Sequence, residues 1–128
     1  MNGGHSLFAA DRASLLRIYL GEADRVSGRP VHQEVLERAR QHGLAGATVF
    51  RGSGGFGANS LIHHASPWRL SQDLPVLIEI VDIESAIQSF LPVLQELLSG
   101  GGLVTLEPVQ IVRYQAEIRA PKTDGGAS

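Results

Sequence analysis

Residues 74–98 read LPVLIEIVDIESAIQSFLPVLQELL, and the spacing of their apolar side chains changes once, at Asp82. Residues 74–81 form a short, nearly continuous apolar run, which is typical of a buried strand. After Asp82, a residue type that favours helix N-caps, apolar residues recur every three or four positions. This pattern predicts a helix over residues 83–98, with a kink or a break at Pro92. Its expected buried side carries Ile83, Ile87, Phe90, Leu91, Leu94 and Leu98.

The segments on either side complete an alternating pattern. Residues 15–20 and 47–51 are predicted strands, and residues 30–42 form a predicted helix between them that ends before Gly43. Residues 103–106 are a short extended piece, and residues 109–114 are the predicted last strand. The order βαββαβ predicts an α+β, ferredoxin-like fold, in which two helices cover one face of a four-stranded antiparallel sheet. We expect this domain at residues 13–117, between an N-terminal tail (1–12) and a flexible C-terminal tail (118–128).

The predicted strands have apolar side chains on both faces. On the first predicted strand, Leu16, Ile18 and Leu20 lie on one face, and the residues that alternate with them lie on the other. The third predicted strand shows the same alternation of two largely apolar faces. Arg17 and Glu79 share the second face, where they can pair across neighbouring strands. A second apolar face on so small a domain usually marks an interface, so we expect it to be buried in a closed homo-oligomer. Its residues are Leu15, Arg17, Tyr19, Leu77, Glu79 and Val81.

Composition excludes several classes of site and protein. The 128 residues include 11 Lys+Arg against 13 Asp+Glu, a balance that does not favour nucleic-acid binding. Because there is no cysteine, disulfides, thiolate metal sites and a cysteine nucleophile are excluded. No apolar run approaches the roughly 20 residues of a membrane helix. We therefore expect a cytoplasmic protein of one domain that does not insert into a membrane.

The glycine-rich run RGSGGFG (51–57) is the most distinctive local motif. Gly52, Gly54 and Gly57 satisfy G-x-G-x-x-G after a strand, but residues 58–73 lack the helix that a dinucleotide fingerprint requires. The remaining interpretations are a hairpin loop that needs positive φ, which the spacing favours, and an anion-binding concavity beside Arg51. Gly100, Gly101 and Gly102 allow the same two interpretations after the second helix.

No catalytic or metal-binding pattern is evident. His63 and His64 are adjacent, so they point to opposite sides of an extended chain, and neither they nor His5, His32 and His42 have ligand spacing. We expect these histidines to face solvent in loops. No serine has a base partner in an elbow motif, so we expect neither an enzyme nor a metal site. Phe56 and Trp68 lie in a polar segment and are candidates either for partner anchors or for packing of the loop on its own domain.

Four stretches carry a resemblance to a known family. They are LRIYLGE (16–22), GLAGATVFRGSGGFG (43–57), LSQDLPVLIEIVD (70–82) and GGLVTLEPV (101–109). In this order they resemble an uncharacterised bacterial and archaeal family of PII-like proteins, distantly similar to the PII signal-transduction proteins. The resemblance implies a ferredoxin-like fold that assembles as a homotrimer.

The resemblance also implies a function and its residues. PII proteins bind adenine nucleotides between subunits, at the base of a T-loop and at a second glycine turn. By position, the base of the T-loop corresponds to Arg51, Gly52, Gly54, Gly55 and Gly57. The second glycine turn corresponds to Gly100, Gly101 and Gly102. Residues 58–73 correspond to the T-loop. Two features depart from classical PII proteins: this loop has no tyrosine for uridylylation, and the lysines near the phosphates have no counterpart because the only lysine is Lys122.

These observations give one functional hypothesis and three alternatives. We expect a non-enzymatic PII-like trimer that requires no cofactor, binds an adenine nucleotide as effector, and regulates a membrane transporter, a channel or an enzyme through residues 52–73. The expected partner-contacting side chains are Phe56, His63, His64, Trp68 and Arg69. The alternatives are a divalent-metal-binding trimer of the ion-tolerance type, a trimer used only for protein interaction, and a small enzyme acting at the subunit boundary.

Overall fold

The computed structural model describes residues 4–6, 12–57, 63–64 and 73–117. Its main sheet has four antiparallel strands in the order β2-β3-β1-β4, and both helices lie on one face of it. The predicted ferredoxin-like fold is therefore confirmed. The elements are β1 (Ala13–Gly21), α1 (Val31–Gln41), β2 (Thr48–Arg51), β3 (Pro75–Ile83), α2 (Glu84–Leu97) and β4 (Leu103–Val109).

Among the described residues, three short strand pairs lie outside this sheet. Arg25–Val26 pairs with Arg29–Pro30 just before α1, and Gly54–Gly55 pairs with His63–His64 beyond the end of β2. Gly4–Ser6 pairs antiparallel with Gln115–Glu117. The third pair shows that part of the expected N-terminal tail is hydrogen-bonded to the end of the domain.

The core lies between the sheet and the two helices. Leu16, Ile18 and Leu20 of β1 are buried against α1 and α2, as the alternation of β1 predicts. On β3, Val76, Ile78 and Ile80 are buried in the same core. The helices contribute the buried side chains Val31, Val35, Ala39, Ile87, Phe90, Leu94 and Leu97. Each fully buried large aliphatic side chain stabilises the fold by about 1.5–3 kcal/mol. This layer fixes the register of β1 against β3, because a shift by one residue would turn every core side chain outward.

The prediction of the last strand is wrong. Residues 103–109 form β4, which pairs with β1 from Tyr19 opposite Leu103 to Ala13 opposite Val109, whereas residues 110–114 lie outside the sheet. Pro108 is accommodated because β4 is an edge strand, where one missing N–H donor costs little. Ile111 instead packs against Ala13 in a small second cluster.

The prediction that Asp82 caps the second helix is also wrong. The Asp82 side chain is buried within β3, where its Oδ2 accepts a 2.9 Å hydrogen bond from the Ala45 backbone N–H. The helix begins at Glu84, and its N-cap residue is Ile83, which ends the strand instead of joining the helix. α2 continues without interruption through Pro92, which is exposed. Asp82 therefore ties the segment before β2 to the sheet.

Candidate functional site

One cleft brings together the two glycine segments that the sequence singles out. It has a volume of about 430 Å³ and lies where β1 ends and β4 begins. Gly55 and Gly57 line one side, and Gly100, Gly101 and Gly102 line another. These segments are more than 40 positions apart in sequence, so only the fold places them together. The other lining residues are Tyr19, Leu20, Gly21, Asp24, Phe56, Asp73, Pro75 and Leu103.

The glycine turn after α2 needs its glycines for conformational reasons. Gly101 has a φ of +126° and Gly102 a φ of +139°, values that side-chain-bearing residues rarely adopt. A Cβ on Gly102 would also lie 3.1 Å from Cδ2 of Leu20 and 3.6 Å from the carbonyl oxygen of Tyr19. A side chain at Gly102 would therefore crowd the end of β1.

The other glycine segment is held against the start of β3. The Gly52 N–H donates a 2.8 Å hydrogen bond to the carbonyl oxygen of Pro75, and a Cβ at Gly52 would lie 2.7 Å from Cγ of that proline. Gly54 and Gly55 then pair with His64 and His63. Phe56 follows with 76% of its surface exposed. A large apolar side chain at the mouth of a cleft is available to a ligand or a partner.

Three of the predicted nucleotide-binding residues do not line the cleft. Gly52 and Gly54 support the loop base, and Arg51 forms an ion pair outside it, with its Nε 2.9 Å from Oε2 of Glu22. Arg51 therefore links the end of β2 to the turn after β1. Among the described residues, no arginine lines the cleft.

Two carboxylates, those of Asp24 and Asp73, also line the cleft. Asp24 Oδ2 accepts a 2.9 Å hydrogen bond from the Gly21 N–H, and Asp73 Oδ1 accepts one of the same length from the Ala23 N–H. An aspartate in a turn is common, so neither residue carried a signal in a single sequence. Asp24 and Asp73 are far apart in the sequence, and only the fold brings them to the same wall of the cleft.

His32 is not a solvent-facing loop residue, so that prediction is wrong. It lies in the first turn of α1 with only 6% of its surface exposed, and its Nδ1 has no hydrogen-bond partner among the described residues. Burial lowers the pKa of His32, and the positive charge of Arg51 lowers it further. The cause of the burial is the helical spacing that puts His32 on the core side with Val31 and Val35.

The face of the sheet opposite the helices carries the predicted ion pair. Arg17 lies directly opposite Glu79, with its Nε 3.0 Å from Oε2 of that residue, and its Nη1 lies 2.9 Å from Oε1 of Glu107 on β4. The hydrogen bond to Glu79 raises the pKa of the Arg17 guanidinium. Tyr19 and Val81 are each 40% exposed on this face, whereas Leu77 is half-buried and Leu15 is buried. We call this surface the open face.

The described residues include three of the five positions predicted to contact a partner: Phe56, His63 and His64. Within residues 12–57 and 73–115, no three His, Asp or Glu side chains are grouped so that they could hold a metal ion. Backbone pairing places His63 and His64 opposite Gly55 and Gly54. Trp68 and Arg69 lie outside the described residues. Of the helices in the described part of the chain, none has the length and hydrophobicity needed to cross a bilayer.

Comparison with known proteins assigns the chain to a family. Residues 13–111 match DUF190, a family described as Uncharacterized ACR. The chain belongs to the DUF190 family. A UPF0166 protein of Aquifex aeolicus is 40% identical over 103 residues, which cover 79% of this chain and 94% of the relative. A UPF0166 protein of Methanocaldococcus jannaschii is 34% identical over 102 residues, covering 80% and 94%.

Solved structures place this DUF190 protein among the PII-like folds. CPII, a nitrogen regulatory PII-like protein of Thiomonas intermedia bound to ADP, AMP and bicarbonate, superposes with a TM-score of 0.60 at 17% identity, covering 78% of this chain and 88% of that one. A PII-like signaling protein of Thermus thermophilus gives a TM-score of 0.57 at 16% identity, with 80% and 91% covered. The expected resemblance to an uncharacterised, distantly PII-like family is confirmed.

Proposed function

We propose that this DUF190 protein is a non-enzymatic PII-like signalling protein. It assembles as a trimer through the open face, binds an adenine nucleotide in the cleft, and contacts a partner protein through residues 52–73. The partner is a membrane transporter, a channel or an enzyme. The observation that carries the proposal is the meeting of Gly55 and Gly57 with Gly100, Gly101 and Gly102 in one cleft.

The cleft has the features of a ligand site for a small molecule. Its volume of about 430 Å³ is within the range of small-molecule pockets. Its walls expose glycine backbone on two sides, and Tyr19 and Phe56 offer aromatic surface for a planar base. CPII, which has the same fold, binds ADP and AMP, and this supports an adenine nucleotide as the ligand class.

The open face supports an oligomer. Tyr19 and Val81 expose apolar surface there, and Leu103 of the adjoining edge strand is 58% exposed. On the same face, Arg17 forms ion pairs with both Glu79 and Glu107. The Coulomb attraction between these charges is stronger where water is excluded. Leu103 also lines the cleft, so a subunit packed on the open face would adjoin the ligand site. This geometry favours a cleft that is completed by a neighbouring subunit.

Two measurements on the purified protein test the proposal. Light scattering after size exclusion should give the mass of a trimer, and thermal unfolding should shift upward with ATP, ADP, AMP or cyclic AMP. A nucleotide at a hundred times its Kd adds about 2.7 kcal/mol to the free energy of unfolding. A monomer would contradict the assembly. A shift with divalent metals alone would favour the metal-binding alternative over nucleotide binding.

A pair of glycine variants locates the ligand. Gly57 lines the cleft and Gly46 does not; a Cβ at either position meets no atom within 4 Å. Gly57→Leu should therefore leave the fold intact, fill the mouth of the cleft and remove most of the nucleotide-induced shift. Gly46→Leu should retain the nucleotide-induced shift in thermal unfolding. Equal shifts in both variants would place the nucleotide elsewhere.

Deletion of residues 58–70 separates assembly from partner contact. The side chains described in the core and on the open face belong to other segments of the chain, so the protein should remain a trimer, with the mass of three shortened chains. Capture of the partner by the tagged protein should be lost. Dissociation of the trimer would contradict this division between the sheet and the 52–73 segment.

A further inference from the structure

The wall of the cleft near Gly21 carries two negative charges that converge. A Cβ placed on Gly21 would lie 2.8 Å from Oδ1 of Asp73 and 3.2 Å from Oδ1 of Asp24. Each carboxylate receives one backbone N–H, from Ala23 and Gly21 respectively. Neither forms an ion pair with any described residue, so both charges remain uncompensated by a cation within this part of the chain.

The opposite wall adds partial charge of the same sign. Gly100, Gly101 and Gly102 follow the C-terminal end of α2, which carries the negative end of the helix dipole. Its last turn contains no basic residue. The Gly101 N–H, which could bind an anion, instead donates a 2.9 Å hydrogen bond to the carbonyl oxygen of Leu98. The N–H of Gly101 is therefore not free to bind a phosphate.

We infer that the cleft selects the hydroxyl- and amine-bearing end of its ligand and disfavours phosphate, so that a nucleotide with one phosphate binds more tightly than a triphosphate. This inference rests on the proposed nucleotide site. The carboxylate oxygens of Asp24 and Asp73 accept hydrogen bonds from the ribose hydroxyls or the adenine amine. The phosphate end leaves the cleft, since each added negative charge is repelled by both aspartates.

The test compares adenosine, AMP, ADP and ATP by titration calorimetry without divalent ions. The native protein should bind AMP about tenfold more tightly than ATP, because unlike AMP the triphosphate brings further charges near two carboxylates. In the Asp24→Asn/Asp73→Asn double variant, this ratio should fall to about threefold or less. Asparagine keeps an oxygen that can accept from the Gly21 and Ala23 N–H groups, so the loop contacts are retained. The two single variants should give intermediate ratios.

Glu37→Gln is the matched control, since it removes one carboxylate from the exposed side of α1, away from the cleft. It should leave the AMP-to-ATP ratio unchanged. ATP binding as tightly as AMP to the native protein would overturn the inference while leaving the proposed nucleotide site intact. An AMP-to-ATP ratio in the double variant equal to that of the native protein would likewise overturn the inference. Failure of all four compounds to bind would overturn both the proposed function and this inference.

Discussion

Arg17 lies opposite Glu79 at the centre of the open face, with the guanidinium Nε 3.0 Å from the carboxylate. The same guanidinium reaches Glu107, so one cation connects the three strands β3, β1 and β4. Exposed ion pairs of this kind contribute little to the stability of a single chain. Within an interface that excludes water, removal of the arginine leaves two carboxylates unpaired, which is strongly unfavourable.

Replacement of Arg17 should therefore affect assembly more than folding. Arg17→Gln is expected to shift the protein from trimer to smaller species at micromolar concentration, as measured by light scattering over a dilution series. Arg12→Gln is the control, because Arg12 forms an exposed 3.4 Å ion pair with Glu84 away from the open face. An Arg17→Gln protein with the native mass at every dilution would show that the open face is not the assembly surface.

A second prediction concerns the glycine turn that forms one wall of the cleft. Gly102→Ala should lower the free energy of unfolding by about 1–3 kcal/mol, because the alanine backbone must keep a rare φ and its Cβ would crowd the Leu20 side chain. Gly100→Ala should change it by less than about 1 kcal/mol, since a Cβ there meets nothing within 4 Å. Urea unfolding of both variants decides the matter. Equal losses of unfolding free energy in the two variants would mean that the backbone at residue 102 can move to a φ that alanine tolerates.

The core could be predicted from the sequence because alternation leaves little choice of face. Leu16, Ile18 and Leu20 had to share one side of a strand, and their burial follows. The last strand was missed although Val104 and Leu106 alternate with Thr105 and Glu107. As an edge strand, β4 exposes nearly every side chain in the single chain, so its pattern is weaker than that of a core strand.

The candidate site was predicted only in part, for a different physical reason. Glycines mark their own positions, so the two glycine segments were found and their meeting was expected from the family resemblance. Asp24 and Asp73 are ordinary turn residues until the fold brings them to one point beside Gly21. The ion pair of Arg51 with Glu22 likewise depends on the turn after β1 lying beside the end of β2.

A third prediction concerns Asp82, whose buried carboxylate accepts hydrogen bonds from the backbone N–H groups of Ala45 and Ile83. Asp82→Ala should lower the free energy of unfolding by about 1–3 kcal/mol, because the Ala45 N–H loses its acceptor and a buried space is left. Asp82→Asn, which keeps one acceptor oxygen, should cost less. Chemical denaturation of the two variants tests this. Equal losses would assign the effect to the charge of Asp82 instead of its hydrogen bond to Ala45.

The last prediction follows from the burial of His32, which lowers its pKa in the folded protein. In the unfolded chain this histidine titrates near its ordinary pKa of about 6.5. As the pH falls below that value, the unfolded state takes up a proton that the folded state resists, so stability decreases. The free energy of unfolding should then fall by at most about 1.4 kcal/mol per pH unit from this group.

Comparison of two histidine variants isolates this contribution. His32→Gln should flatten the dependence of the urea midpoint on pH between about 7.5 and 5.0, a range that spans the ordinary histidine pKa, whatever its effect on absolute stability. His42→Gln, which removes an exposed histidine bonded to Ser89, is the comparison variant for the loss of a histidine. The direction has a structural cause: a protonated His32 would lie beside Arg51, in the first turn of α1, where the helix dipole also opposes positive charge. If His32→Gln retains the full slope, the acid sensitivity arises from a group other than His32.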